Sequence, residues 1–350
     1  MKASIVKRLS LIALAAVFLF ALAACGESNN SSSGSSSQPA SASAESASGS
    51  DAVSGKKVIR IGYQKGNTLN ILKVRGNLEE RLKELGIAVE WNVFPSGGAV
   101  LEALAAGQID YGNAADGVGV FAQASDKPFF YVGASLPNPE GIGIMVMPDS
   151  GINSIADLKG KTIAVFKGGN HHYLAILALE RAGLTVDDVN WVYITDAFEG
   201  RAAFETGQVD ALGMWDPFFA STQIDLKPVT LTDGADYTPN RTFYFATEDF
   251  ANNHPELVKI LLEETNESDQ WANTNKEEVT KLLSEELGID EESIALMVNR
   301  RTYGVELITE EVIAPQQQLA DVFHRVGLID KAIDVRERMP IGAPWNPDNL

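Results

Sequence analysis

Twice in this chain an apolar, strand-like run ends in Lys-Gly and an Asn and passes straight into a helical pattern. The second copy is the sharper. Thr162-Ile163-Ala164-Val165-Phe166 reads as a buried strand, Lys167-Gly168-Gly169-Asn170 as a glycine turn, and His171 onward as a helix whose apolar positions continue through Ile176, Leu177 and Leu179. The first copy runs from Val58 to Leu69 through Lys65-Gly66-Asn67, and the two lysines stand 102 residues apart. Such a junction leaves backbone N–H groups unpartnered at the helix start, where the helix dipole adds partial positive charge. It is therefore a seat for an anion. A plain strand-to-helix turn with no ligand is the alternative, and a second matched pair weighs against it: Gly107-Gln108-Ile109-Asp110 recurs as Gly207-Gln208-Val209-Asp210, offset by 100 residues. The doubled pattern predicts two similar α/β lobes, each offering a helix N-terminus to a shared cleft.

Charge narrows the ligand and partner classes. The 350 residues carry a formal net charge of −19, which excludes a basic surface for nucleic acid or an anionic membrane. The late acidic pairs, Glu263-Glu264, Glu277-Glu278, Glu285-Glu286 and Glu291-Glu292, read as solvated helix faces. The four histidines, His171, His172, His254 and His324, show no metal-ligand spacing and no triad context. No metal or cofactor is expected. Either His171 or His172, sitting in the turn, could donate a hydrogen bond to an anion.

At the N-terminus, Lys2, Lys7 and Arg8 precede an apolar run from Leu9 to Ala24, the pattern of a secretory leader spanning 1–24. Leu22-Ala23-Ala24-Cys25 resembles a bacterial lipobox, in which Cys25 is acylated and becomes the mature N-terminus. A membrane-spanning anchor is the alternative, but the run is short for one. Cys25 is the only cysteine, so a disulfide framework or a cysteine nucleophile within the fold is excluded. Residues 25–55 are rich in Ser, Ala and Gly and have almost no large apolar side chain to offset the entropy of ordering, so they are expected to form a disordered tether. A lipid-anchored protein on the outer face of a cell membrane follows.

From Lys57 onward strand and helix patterns alternate, which predicts a mainly parallel sheet covered by helices. A helix is expected from Thr68 to Leu85 with Gly86 as its C-terminal cap. Ser96 is placed to cap a helix or to donate its hydroxyl to a ligand, and Asp116 to cap another. Ligands in open α/β sheets sit beyond the carboxyl ends of strands, so Gln64, Ser96 and Asp116 fall on one rim. Trp215, at a strand end and followed by Asp216-Pro217-Phe218-Phe219, can wall an apolar ligand tail. Ile142 to Met147 is the expected crossing into the second lobe and Thr242 to Ala246 the return, dividing the fold at 56–144 with 246–350 and 145–245. Residues from Phe250 onward read as amphipathic packing helices, and Pro340 to Leu350 as an extended tail.

Between about Lys57 and Arg338 the chain resembles the aliphatic sulfonate-binding proteins of ABC importers. The residues that carry the likeness are Ile61-Gly62-Tyr63-Gln64-Lys65-Gly66, Phe94-Pro95-Ser96-Gly97, Phe121-Ala122-Gln123-Ala124, Pro139-Glu140-Gly141, Lys167 to Tyr173, Arg201-Ala202-Ala203-Phe204 and Trp215-Asp216-Pro217-Phe218. It departs at Ala115-Asp116-Gly117-Val118, where Thr or Gly, Asp, Ala or Thr, and Pro are usual, and at Gly169, where Ser is common. The resemblance implies a two-lobed type II periplasmic-binding-protein fold, with two mixed sheets, flanking helices and a cleft between the lobes. It implies a non-catalytic, cofactor-free receptor, monomeric, whose partners are an alkanesulfonate and the permease. The implied ligand set is Gln64, Gly66 and Asn67 from one lobe and Gly168, Gly169, Asn170 and His171 from the other. Ser96 and Asp116 complete the polar lining, and Glu140, Trp215, Asp216 and Phe218 shape the tail end. On this reading neutral donors alone hold the anion, because a buried Lys or Arg would be costly to desolvate. Taurine, nitrate and aromatic sulfonates remain open as ligands. A desulfinase or a pyrimidine-forming enzyme on the same fold is the competing class, and a surface adhesin or scaffold is a third reading.

Overall fold

The structure, a computed structural model, describes residues 55–350. The expected leader, Cys25 and all of the tether but Gly55 lie outside the described residues. The chain opens with β1 (Val58–Tyr63), α1 (Thr68–Arg75), α2 (Asn77–Glu84), β2 (Ala88–Val93), α3 (Gly97–Ala105), β3 (Tyr111–Ala115), α4 (Asp116–Ala124) and β4 (Phe129–Ser135). The second lobe follows with β5 (Ile142–Val146), β6 (Thr162–Phe166), α5 (Asn170–Arg181), β7 (Asn190–Ile194), α6 (Ala197–Glu205), β8 (Ala211–Trp215), α7 (Phe218–Leu226) and β9 (Val229–Asp233). The chain returns through β10 (Thr242–Thr247) and ends in α8 (Glu248–Asn253), α9 (Pro255–Thr274), α10 (Lys276–Leu287), α11 (Glu291–Asn299), β11 (Val305–Glu306) and α12 (Glu310–Arg325).

Both sheets are mixed and share one plan. In the first, ordered β11-β4-β10-β3-β1-β2, β1 lies parallel between β2 and β3, and β10 adds antiparallel to β3. In the second, ordered β7-β6-β8-β5-β9, β6 lies parallel between β7 and β8, and β5 adds antiparallel to β8. The antiparallel members are the two crossing strands and the short edge strand β11, and this is why the parallel sheet suggested by strand-helix alternation is replaced by a mixed one. The divisions expected at 144/145 and 245/246 fall inside β5 and β10, each of which lies in a single sheet throughout, so the chain changes sheet a few residues earlier, within 136–141 and 234–241.

The repeated Gly-Gln-[Ile/Val]-Asp segment builds the same joint in each lobe. Gly107 and Gly207 take positive φ (65° and 70°), which a side chain would strain, and turn the chain out of α3 and α6. Gln108 and Gln208 donate backbone N–H to Ala103 and Ala203 carbonyls, both at 2.9 Å. Asp110 and Asp210 then bond back to the entry of the neighbouring strand. Arg60 N–H donates to Asp110 Oδ2 and Thr162 N–H to Asp210 Oδ2, each at 2.8 Å. Asp110 also receives the Arg60 guanidinium and Lys56 Nζ, and those partners hold its carboxyl below the usual carboxylate range even though burial alone would raise it.

Three elements differ from expectation. The helix expected over 68–85 breaks into α1 and α2 because Gly76, at φ 73°, caps the first with its N–H on the Leu72 carbonyl. β9 completes an edge not expected from the sequence, and none of its residues is fully buried. The segment after Pro340 is no free tail: Ala343 and Trp345 are buried in the core beneath the first sheet, with Trp345 against the Phe130 ring.

The two aspartate joints differ in burial, with side-chain exposures of 5% for Asp110 and 38% for Asp210. Asp110→Ala is therefore expected to lower the unfolding free energy by roughly 2–3 kcal/mol, and Asp210→Ala by about 1 kcal/mol or less. Urea unfolding of both variants checks the order; equal losses would mean that the buried joint is no stronger than the exposed one.

Candidate functional site

Because β1, β3, β6 and β8 all point their carboxyl ends at the space between the sheets, the turns that follow them meet there. They enclose a cavity of about 730 Å³, part of it continuous with solvent. Gln64, Gly66 and Asn67 enter from the end of β1, Ser96 and Gly97 from the start of α3, and Ala115 and Val118 from the β3–α4 junction. Phe166, Gly169, Asn170 and His171 come from the β6–α5 turn, and Trp215 and Asp216 from the end of β8. The crossings supply Asn138, Gly141, Asn240 and Thr242, and Arg301 arrives from the segment after α11.

The β6–α5 turn is built differently from the anion seat that its sequence suggests. Gly168 N–H donates to His172 Nδ1 (3.1 Å), and Gly169 N–H to the Phe166 carbonyl (2.9 Å). Neither amide is available to a ligand, and Gly168 does not line the cavity. The open donor at this helix start is Asn170 N–H, which has no partner among the described residues. The Asn170 side chain is occupied, its Oδ1 taking the His171 N–H and its Nδ2 donating to Asn240 Oδ1 at 2.6 Å. Asn240 Nδ2 in turn donates to the Asn138 carbonyl, so the tip of α5 is tied to both crossings.

His171 is also not a side-chain donor to the cavity. Its Nε2 accepts from Phe166 N–H (2.9 Å) and its Nδ1 lies 3.1 Å from Asn170 Oδ1, which fixes the proton on Nδ1. Its ring stacks on Trp215 at 4.9 Å and 19°. Burial, with a lesser push from His172, pulls the His171 pKa down to about 3, and burial with Lys167 nearby does the same for His172.

In the first lobe, Asn67 caps α1 by accepting Thr68 N–H on Oδ1 and leaves Nδ2 without a partner among the described residues. Ser96 Oγ accepts from Ala99 N–H at 3.4 Å, leaving its own proton available, so the hydroxyl combines the cap and donor roles. The Gly97 N–H is unpartnered among the described residues. Gln64 Nε2 is held by the Asn113 carbonyl (3.1 Å). Gly66, at φ 82°, sits so close to Pro217 of the other lobe that a Cβ would fall 2.2 Å from the proline ring.

Besides Gly168, three residues expected at the site stand outside it. Asp116 is not the cap of α4: Ala115 takes that position, and the Asp116 carboxylate accepts the N–H of its neighbour Gly117 (2.7 Å) away from the cavity, with burial pushing its pKa to about 7. The Glu140 side chain is exposed, and only its carbonyl takes part, accepting from Arg300 Nη1. Phe218 lies behind Trp215, edge-on at 5.9 Å, and supports the indole without reaching the cavity. Asp216 does line the cavity. Its Oδ1 holds the start of α7 through Ala220 N–H, Arg300 Nε lies 3.5 Å from Oδ2, and burial raises its pKa to about 6. Sequence reasoning missed Arg301, Asn138 and Asn240, which belong to loops with no local pattern; only the proximity of both asparagines to expected crossings hinted at a role.

Two α/β lobes joined by paired crossings, with strand ends and helix starts converging on a polar cleft, define a solute-binding protein of the type II periplasmic class. The chain belongs to the NMT1/THI5-like family, which matches residues 82–279. A relative in Escherichia coli (strain K12), named as an aliphatic sulfonates-binding protein, is 36% identical over 301 residues, covering 85% of this chain and 92% of its own length. A protein of the same name in Bacillus subtilis (strain 168) is 31% identical over 297 residues, covering 83% and 89%. Among solved structures, the alkanesulfonate-binding protein SsuA from Xanthomonas axonopodis pv. citri bound to MOPS superposes with a TM-score of 0.77 at 30% identity, covering 82% of this chain and 99% of that one.

The turn geometry makes a spectroscopic prediction. An imidazolium at His171 would set a second ring proton against the Phe166 N–H, so both histidines are expected to stay neutral from pH 8 to pH 5, His171 protonated on Nδ1 and His172 on Nε2. Long-range ¹⁵N–¹H spectra of the rings check this, and a midpoint near 6.5 for either would contradict the arrangement.

Proposed function

We propose that the protein is an extracytoplasmic receptor that captures an aliphatic sulfonate between its lobes and delivers it to an ABC importer. The observation that carries this reading is a cleft wall where Asn67 Nδ2, the Ser96 hydroxyl and the amides of Gly97 and Asn170 stand free beside the Trp215 ring. A sulfonate has three acceptor oxygens and a permanent single charge, and converging N–H and O–H donors suit it. The indole offers the apolar body against which an alkyl tail packs. Gln64, Gly66, Gly169 and His171 shape the walls around the head group. The family relatives named for sulfonates support the same ligand class. Closure of the two lobes about the crossings hides the ligand and completes the surface that the permease meets. Taurine is the second reading, favoured by Asp216, an acidic side chain at the cavity wall that could pair with an ammonium group.

A ligand that binds only the folded state raises stability by about 2.7 kcal/mol at a hundredfold excess over Kd. Thermal shifts with ethanesulfonate, MOPS, taurine, nitrate, sulfate and phosphate are expected to place ethanesulfonate and MOPS first. Taurine ahead of both would select the second reading, and nitrate or sulfate ahead would sink both.

On this reading the protein is a monomeric lipoprotein, acylated at Cys25 after removal of 1–24 and held off the membrane by the Ser-rich segment. Cys25→Ala is expected to move the folded protein out of the membrane fraction of producing cells. Undiminished retention would instead identify the apolar run as the anchor.

A further inference from the structure

Two adjacent arginines open the segment after α11, and they differ in hydrogen bonding. Arg300 is fully engaged: Nη1 donates to the Glu140 carbonyl (3.0 Å), Nη2 to Gln223 Oε1 (2.8 Å), and the guanidinium lies 5.0 Å from the centre of the Phe219 ring. Arg301 is 7% exposed and lines the cavity with its guanidinium 5.3 Å from the centre of the Tyr303 ring, yet it makes no side-chain hydrogen bond and no ion pair among the described residues. Its Nε and Nη2 have neither partner nor solvent, which leaves Nη1 as the nitrogen that meets the cavity.

A guanidinium does not deprotonate in a protein, so this charge is permanent. Burying it without a partner opposes folding, and a chain retains such a group only where something else compensates. The nearby acids do not do so fully. Asp269 and Asp216 act on Arg301 only at a distance, and burial raises them to about 7 and about 6, so near neutral pH neither is wholly ionised. Both oxygens of Asp269 lack partners as well. The wall of the cleft therefore carries a standing positive charge that no hydrogen bond or ion pair among the described residues offsets.

We infer that Arg301 is the charge anchor of the cavity, neutralising the single negative charge of an oxyanion head group whose remaining oxygens are held by the neutral donors of Asn67, Ser96 and Asn170. This rests on the receptor function proposed above and deepens it, because it makes a formal charge, and not the helix starts alone, the determinant of ligand class. A monoanion balances one guanidinium. A dianion leaves one charge buried, and a neutral analogue leaves Arg301 unpaired.

The test is calorimetry with MOPS on the wild-type protein, Arg301→Gln and Arg301→Lys, together with melting curves of each without ligand. Failure of the wild-type protein to bind MOPS or ethanesulfonate strikes the receptor function itself and is seen before any variant is made. Given wild-type binding, Arg301→Gln is expected to weaken MOPS at least a hundredfold while its ligand-free melting temperature is no lower than the wild type, because removing an unpaired charge relieves the empty site. Affinity within threefold of wild type overturns the inference. So does a lowered ligand-free melting temperature, which would make Arg301 a structural partner of Asp269. Should Arg301→Gln not fold, Arg301→Lys decides: affinity within about tenfold of wild type supports a charge anchor, and a greater loss overturns it.

Discussion

Everything at the cleft depends on how closely two lobes can approach, and that is set by three positions with no side chain. A Cβ at Gly66 would strike the Pro217 ring, one at Gly168 would meet Phe121 at 2.4 Å, and one at Gly117 would lie 2.3 Å from the Gly168 carbonyl oxygen. Gly66 and Gly168 also take φ of 82° and 78°, so their conformations and the space around them impose the same residue. The glycines of the repeated turn are thus required first by contact between lobes. Their amide hydrogens are a separate matter, and at Gly168 and Gly169 those are engaged inside the turn.

Electrostatics then divides the work around the cavity. Burial keeps His171 and His172 neutral, and each accepts a backbone N–H on one ring nitrogen, so they stiffen the β6–α5 turn and add no charge to it. His171 carries Trp215 on its face, and Phe218 holds the indole from the side, which fixes a largely apolar wall. Neutral donors come from the helix starts, and a cation without a hydrogen bond among the described residues comes from a loop far along the chain, whereas Lys65 at the same cavity donates Nζ to the Leu287 carbonyl. Neutral donors alone, the arrangement that the turn sequences suggest, leave no counterpart for Arg301.

Much of the architecture was legible because it repeats. The matched turns and the matched Gly-Gln-[Ile/Val]-Asp segments fall at equivalent positions in two sheets of one plan, and Asp110 and Asp210 bond to β1 and β6 in the same way. Local rules failed where a tertiary neighbour decides. Gly76 could sit inside a helix by pattern, yet its left-handed conformation ends α1 so that α2 can turn away. The three prolines after residue 339 suggest an extended tail, but burial of Trp345 pins the segment to the core. At the site, residues on strand ends were found because strand ends are predictable. Arg301, Asn138 and Asn240 lie in loops, and only the folded chain brings them to the cleft.

The asparagine chain adds a mechanical consequence. Asn170 presents its free N–H to the cavity while its side chain reaches Asn240, and Asn240 holds the Asn138 carbonyl, so one residue connects the ligand space to both crossings. Arg300 makes a second connection, from the segment after α11 to the Glu140 carbonyl beside the first crossing and to Gln223 on α7. An anion drawn to Arg301 and Asn170 N–H would bear at once on the neighbour of Arg300 and on the residue that ties the crossings. A ligand shifts a conformational equilibrium only by its differential contact with the two states. Here the groups able to make that contact are covalently or hydrogen-bonded neighbours of the groups that tie the lobes: Asn170 to Asn240 and the Asn138 carbonyl, Arg301 to Arg300.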